Sequence, residues 1–400
     1  MKKIQGGVTT AKGFLAAGVT CGLKRSGKAD FGMLVSETPA LFAGAFTRNL
    51  FCAAPVVWCQ RILKSGKHVK GLAVNSGTAN ACTGKLGDKN AQRMAALAAK
   101  ALACRPDEVL VASTGVIGRQ LPMDKISTGI TLGARALSGK RGHDFARAIM
   151  TTDLVSKEAA VRITVGGKPV TLGGCCKGSG MIHPNMATML AFVTTDARIA
   201  KSALNRAFKA ALAQSFNRIT VDGDTSTNDS LFLLANGCAH NPEIKGGKAL
   251  ADFTDALTHV CVTLAKAIAR DGEGATKLVS VKVTGAKTEA SADRIARSIC
   301  HSPLVKTALF GNDPNWGRIL AAAGYAGVPF DPSRVSLHVC GVRLVNRGEP
   351  LLFDAAAVSK KMKAPELAIV VDLKAGPACA ELFTCDFSYD YVKINAEYHT

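Results

Sequence analysis

Aromatic side chains are scarce in this chain, 6% of 400 residues, with only four tyrosines and two tryptophans. So few rings leave little for stacking on nucleic-acid bases. No stretch offers the roughly 18 uninterrupted apolar residues of a membrane-crossing helix. No apolar segment of a secretory signal follows Lys2 and Lys3, so the expected location is the cytoplasm. Thirteen cysteines include no Cys-x-x-Cys pair, and the eight histidines do not cluster, so no metal site is expected. Gly285-Ala286-Lys287-Thr288 lacks the earlier glycine and the Gly-Lys step of a phosphate loop. Gly311–Gly317 lacks the strand–Gly-x-Gly-x-x-Gly–helix setting, so neither points to a bound nucleotide. Internal repeats, low-complexity tracts and a dividing linker are also missing.

What is present describes a globular enzyme-like chain. It is 48% hydrophobic, holds 39 glycines and is long enough for two or three domains around a sizeable core. Most cysteines sit in small apolar surroundings such as Ala101-Leu102-Ala103-Cys104, and read as reduced core residues. Lysine and arginine outnumber acids 50 to 30, a formal charge of +20. This raises nucleic-acid binding as a rival function, one that predicts salt-sensitive association. Yet the basic residues are dispersed. The densest groups, Lys360-Lys361-Met362-Lys363 and Lys24-Arg25-Ser26-Gly27-Lys28, are short and read as solvated surface. Such a surface favours approach of an anionic ligand.

Strands and helices interleave along the chain. The alanine-rich Ala91–Ala103, Ser202–Phe216 with Ser202 as N-cap, and Asp255–Arg270 are expected helices. Recurring β-branched residues mark strands at Val69–Val74, Val109–Ala112, Val161–Val165, Val279–Val283, Val335–Val339 and Leu367–Leu373. The fold class is mixed α/β or α+β.

Residues 174–192 carry the most chemistry. A glycine-rich turn, Lys177-Gly178-Ser179-Gly180, leads through Pro184 into Asn185-Met186-Ala187-Thr188 and then the apolar run Met189–Val193. A threonine between a constrained turn and a buried run has a restricted, partly desolvated hydroxyl. Small Ala187 leaves the preceding carbonyl open to attack. Cleavage there would free the Thr188 amine, which could act as base for its own hydroxyl. Taken alone, the same residues also read as an ordinary turn and an ordinary strand.

The run resembles the self-cleavage segment of the ornithine acetyltransferases, or glutamate N-acetyltransferases, of arginine biosynthesis. Further blocks resemble that family in its order: Asn75–Ala81, Ser113–Gly118, Met150–Asp153, Asp222–Asp229, Arg270–Lys277, Gly311–Arg318 and Asn395–Thr400. The resemblance implies cleavage at Ala187-Thr188 into an alpha chain, 1–187, and a beta chain, 188–400, intertwined in one folded unit. It implies an N-terminal-nucleophile-like fold of stacked sheets with flanking helices, plus a C-terminal α/β region. A heterotetramer of two alpha and two beta chains is expected from the family alone.

The implied reaction moves acetyl from N-acetylornithine to glutamate through an ester on Thr188 and needs no cofactor. Whether acetyl-CoA also serves as donor is left open by the sequence. Thr188 is the implied nucleophile, with the Thr114 side chain and the Gly115 backbone N–H as oxyanion hole after the strand Val109–Ala112. Replacing Thr114 or Gly115 is then expected to impair catalysis more than affinity. The implied substrate contacts are Thr152, Lys177, Thr188, Glu273, Asn395 and Thr400. Lys177 would meet a carboxylate and Glu273 an ammonium. Thr151 competes with Thr152, while His183 and His399 have no assigned role. The enzymatic rival is an aminopeptidase or amidase on a related fold, which would release acetate to water.

Overall fold

The computed structural model describes residues 1–183 and 189–397. By its internal contacts the chain divides into two compact units. The first comprises residues 1–217 and 224–268; the second comprises 218–223 and 269–397.

The first unit is built on a nine-stranded sheet system. One long strand, Phe31–Phe46, is shared by its two halves. Its first part, Phe31–Val35, pairs antiparallel with Phe14–Val19 and with Gly71–Asn75. Its second part, Leu41–Phe46, pairs with Ser230–Ala235. The register shifts between Val35 and Ala40, across Ser36-Glu37-Thr38-Pro39. Proline has no N–H for the ladder, and polar residues interrupt the apolar alternation where the strand changes partners. That interruption hides the element from a periodicity reading. Edge-to-face ring contacts of Phe42 and Phe46 with Phe232, and of Phe145 with Phe192, fill the core between the stacked sheets. Helices Ala54–Ser65, Gly84–Ala101 and Met123–Arg135 pack on this system.

The second unit holds a six-stranded sheet in which Leu278–Ala286 lies between Glu366–Asp372 and Ala378–Cys385. Helix Glu289–His301 covers it with Ala292, Ile295, Ala296 and Ile299. This is the expected C-terminal α/β region.

All six expected strands are present, most of them longer than expected. Two corrections concern local chemistry. The helix expected from Ser202 begins at Lys201, and its N-cap Ala200 offers no side-chain cap, so Ser202 does not cap it. Of the thirteen cysteines, Cys82 and Cys379 are exposed and five more only half-buried, so the core reading holds for six. Among those, burial pushes the Cys59 thiol up to about 12 and the Cys176 thiol up as well, which keeps both protonated and inert.

Candidate active site

Lys177 is not in a turn but closes the strand Lys168–Lys177. It pairs with Leu190 at the start of the strand Leu190–Thr195. Every residue of this strand from Val170 to Lys177 is buried, which brings the lysine stem inside. Its ammonium donates to Thr114 Oγ1 at 3.4 Å.

Thr114 and Gly115 likewise lie within a strand, Val109–Val116, rather than after one. This strand runs parallel to Val69–Thr78, and the register slips at Gly77 and Thr78. Gly115 has φ +127°, and a Cβ there would sit 2.3 Å from the Gly77 carbonyl carbon and 2.6 Å from Thr78 N. The glycine is therefore required by the neighbouring backbone, whatever else approaches it.

The turn beyond Lys177 is fixed by Asp153. Its Oδ1 accepts from Gly178 N at 2.6 Å and from Lys157 Nζ at 2.7 Å, and its Oδ2 accepts from Thr151 N at 3.0 Å. Thr152 Oγ1 shares a 2.7 Å hydrogen bond with Ser179 Oγ. Thr152 thus turns its hydroxyl toward the Lys177 turn, whereas the Thr151 contact is through its backbone. Thr114, Gly115, Thr152 and Lys177 are brought into one cluster.

Burial alone would push the Asp153 carboxyl up; the Lys177 and Lys157 ammonium groups and the Gly178 N–H outweigh it and hold it down to about 2. Both side chains of the Asp153–Lys157 pair are essentially sealed, at 0% and 1% exposure. We expect Asp153→Asn to cost about 3 kcal/mol or more, because it removes the negative charge between two enclosed lysines. A folded-state pKa below the ordinary carboxylate value stabilises above that value and loses its effect as pH falls from about 4 toward 2. Calorimetric unfolding midpoints of the two proteins should therefore differ at pH 7 and converge toward pH 2. A gap independent of pH would refute this role for the charge.

In the second unit, Asn395 Nδ2 donates to Glu273 Oε2 at 3.0 Å, so these two expected contacts also meet each other. Glu273 is buried at 8% exposure. Its loop is set by Asp386, whose carboxylate accepts from Thr276 N and Lys277 N, both at 2.9 Å, and from Thr276 Oγ1 at 2.5 Å. Gly274 has φ +68°, and a Cβ there would lie 2.5 Å from Tyr391 N. Asp386→Ala should lower stability by about 3 kcal/mol by leaving buried N–H groups unsatisfied. Amide hydrogen exchange at Thr276 and Lys277 should rise with it; unchanged exchange there would show that Asp386 does not hold the loop. The block Gly311–Arg318 takes a structural part: Asn312 Oδ1 accepts from Lys277 Nζ at 2.8 Å, and Asn315 caps the helix Trp316–Gly324.

Ala187, Thr188 and Thr400 lie outside the described residues, as does His399. His183 is described, and its carbonyl accepts from Thr225 Oγ1 at 3.0 Å. Among the described residues no group of three or more His, Cys, Asp or Glu is placed to hold a metal ion. No described helix is long and apolar enough to cross a membrane.

A family model, that of the ArgJ family, matches residues 15–400. The chain belongs to the ArgJ family. A relative from Symbiobacterium thermophilum, named Arginine biosynthesis bifunctional protein ArgJ, is 52% identical over 403 residues and covers both chains fully. One of the same name from Oceanobacillus iheyensis is 48% identical over 99% of this chain and 97% of its own. A crystal structure of the protein of that name from Bacillus halodurans is 44% identical, with a TM-score of 0.51. It is matched over 98% of that solved chain but 52% of this one.

ArgJ proteins are acyltransferases of arginine biosynthesis. Asp153, Lys157 and Ser179 are not marked as site residues by the sequence, yet they hold the turn after Lys177. Asp153 stands inside the quoted block Met150–Asp153, so its position was visible. Its role was not, since the spacing to Lys157 also describes an exposed ion pair. Only burial makes the pair a scaffold for the turn after Lys177.

Proposed function

We propose that the chain cuts itself between Ala187 and Thr188 and then moves acetyl from N-acetylornithine to glutamate. The Thr188 hydroxyl attacks the acetyl carbonyl, ornithine leaves with the proton, and an acetyl ester remains on Thr188. The glutamate amine then attacks the ester and releases N-acetylglutamate, restoring the hydroxyl. The Thr188 α-amine relays the proton in each half; an α-amine pKa of about 7.7–8.0 suits that task. Thr114 Oγ1 and the Gly115 N–H receive the oxyanion. Thr152 and Lys177 hold substrate, with Glu273, Asn395 and Thr400 as further contacts.

The observation that carries this reading is the Lys177–Thr114 contact at 3.4 Å, made by a lysine whose strand partner, Leu190, is two residues along the chain from Thr188. It supports an arrangement of carboxylate-binding cation and oxyanion donor beside the nucleophile. The Bacillus halodurans structure supports the two-chain product. It is almost wholly covered by just over half of this chain, and residues 188–400 are likewise just over half. The active form is a heterotetramer of two alpha and two beta chains, and it works in the cytoplasm.

Purified protein given N-acetylornithine labelled in the acetyl group should pass the label to glutamate and release ornithine. Label recovered as acetate with glutamate present would instead favour the amidase reading. A parallel assay with acetyl-CoA as the sole donor decides whether that compound is a second substrate.

A further inference from the structure

Cys21 to Ala29 form a loop that the sequence presents as a short run of solvated base. Its organiser is Asp30, fully buried, whose carboxylate accepts from Cys21 N at 2.7 Å, Leu23 N at 2.6 Å and Lys24 N at 3.1 Å. The same residue joins the loop to the sheet, for Ser76 N donates to the Asp30 carbonyl at 2.9 Å. The loop is thereby pressed onto the slipped register beside Gly115. A Cβ on Gly77 would lie 3.4 Å from the Leu23 carbonyl oxygen, and Gly77 is the strand partner of Gly115. Lys24, the next residue, is half-buried at this rim. One of its three ammonium donors is used on the Ala29 carbonyl at 2.7 Å.

The charges that act on this ammonium are Asp30, Lys177, Asp153 and Lys28. Lys177 and Asp153 belong to the cluster described above, so Lys24 shares their electrostatic field. Burial pulls its pKa down to about 8; Asp30 opposes that pull and the Lys177 charge adds to it. A lysine held in this way changes charge near working pH, unlike an ordinary surface lysine.

The proposed reaction poses a problem that this residue fits. Both amino acids carry an α-carboxylate, but their side chains end in opposite charges: an ammonium on the donor and a carboxylate on glutamate. One site must accept each in turn. We propose that Lys24 is a specificity residue of this site, meeting the side-chain carboxylate of the acceptor while Lys177 holds the carboxylate common to both substrates. This inference rests on the acetyl-transfer reading and deepens it.

The test measures kcat/KM for each half-reaction, which a double-displacement mechanism keeps separate. In Lys24→Met the value for glutamate should fall about tenfold, the loss of one charge-assisted contact. The value for N-acetylornithine should rise, because a positive charge near its ammonium is gone. The preference for glutamate over glutamine, which lacks the side-chain charge, should collapse, and Lys24→Arg should restore it. Equal losses for both substrates would make Lys24 a support for its loop and overturn the proposal, as would an unchanged glutamate-to-glutamine preference. Failure of acetyl transfer itself would show in wild type, before any variant is made.

Discussion

Thr188→Ala is expected to yield a single uncut chain with no measurable transfer. Alanine has no hydroxyl, so it can neither attack the Ala187 carbonyl nor carry acetyl. The uncut chain also has an amide where the base should be, so both roles vanish together. Wild type should run as two fragments of roughly 19 and 22 kDa, the 41.6 kDa chain divided in proportion to length. The heavier one should begin Thr-Met-Leu-Ala-Phe. Thr188→Ser keeps the hydroxyl but loses the methyl group that restricts χ1, so slower cleavage and reduced transfer are expected. Transfer by Thr188→Ala at the wild-type rate would move the nucleophile elsewhere and favour direct transfer between bound substrates.

Gly115→Ala should damage the fold itself. The sequence expectation treats this substitution as loss of one oxyanion donor. The added methyl, however, would lie within 2.3 to 2.7 Å of Gly77 and Thr78 backbone atoms, at φ +127°. The parallel strands must part to admit it, and a loss above about 4 kcal/mol is expected. The protein should be poorly soluble or melt far below wild type. Thr114→Ala is the cleaner probe of the oxyanion, because it leaves the backbone unchanged. Transfer should fall about a hundredfold in kcat with little change in KM, and self-cleavage should slow in parallel. A well-folded Gly115→Ala with normal melting would contradict the close approach. A Thr114→Ala that raised KM alone would make the hydroxyl a binding group.

Much of the unit containing Lys177 was legible from local pattern. Val109–Ala112 and Val69–Val74 alternate and branch as strands must, and Ala91–Ala103 has the composition of a helix. These properties act over a few residues and survive any packing. The bent strand Phe31–Phe46 was not legible, because its polar interruption reflects a change of partner strands far apart in sequence. The blocks in family order named the family without coordinates.

By itself, then, the sequence determined the class of element at most positions, the family and the residue types available for acyl transfer. Tertiary structure alone decided that Lys177 reaches Thr114 across 63 residues of chain and that Gly115 has no room for a side chain. It also decided that Asp153 and Lys24, which look like surface charges in the sequence, stand in one field with Lys177. The physical reason is that periodicity and propensity are local, whereas burial, register and the energy of a charge depend on groups brought together only by the folded chain.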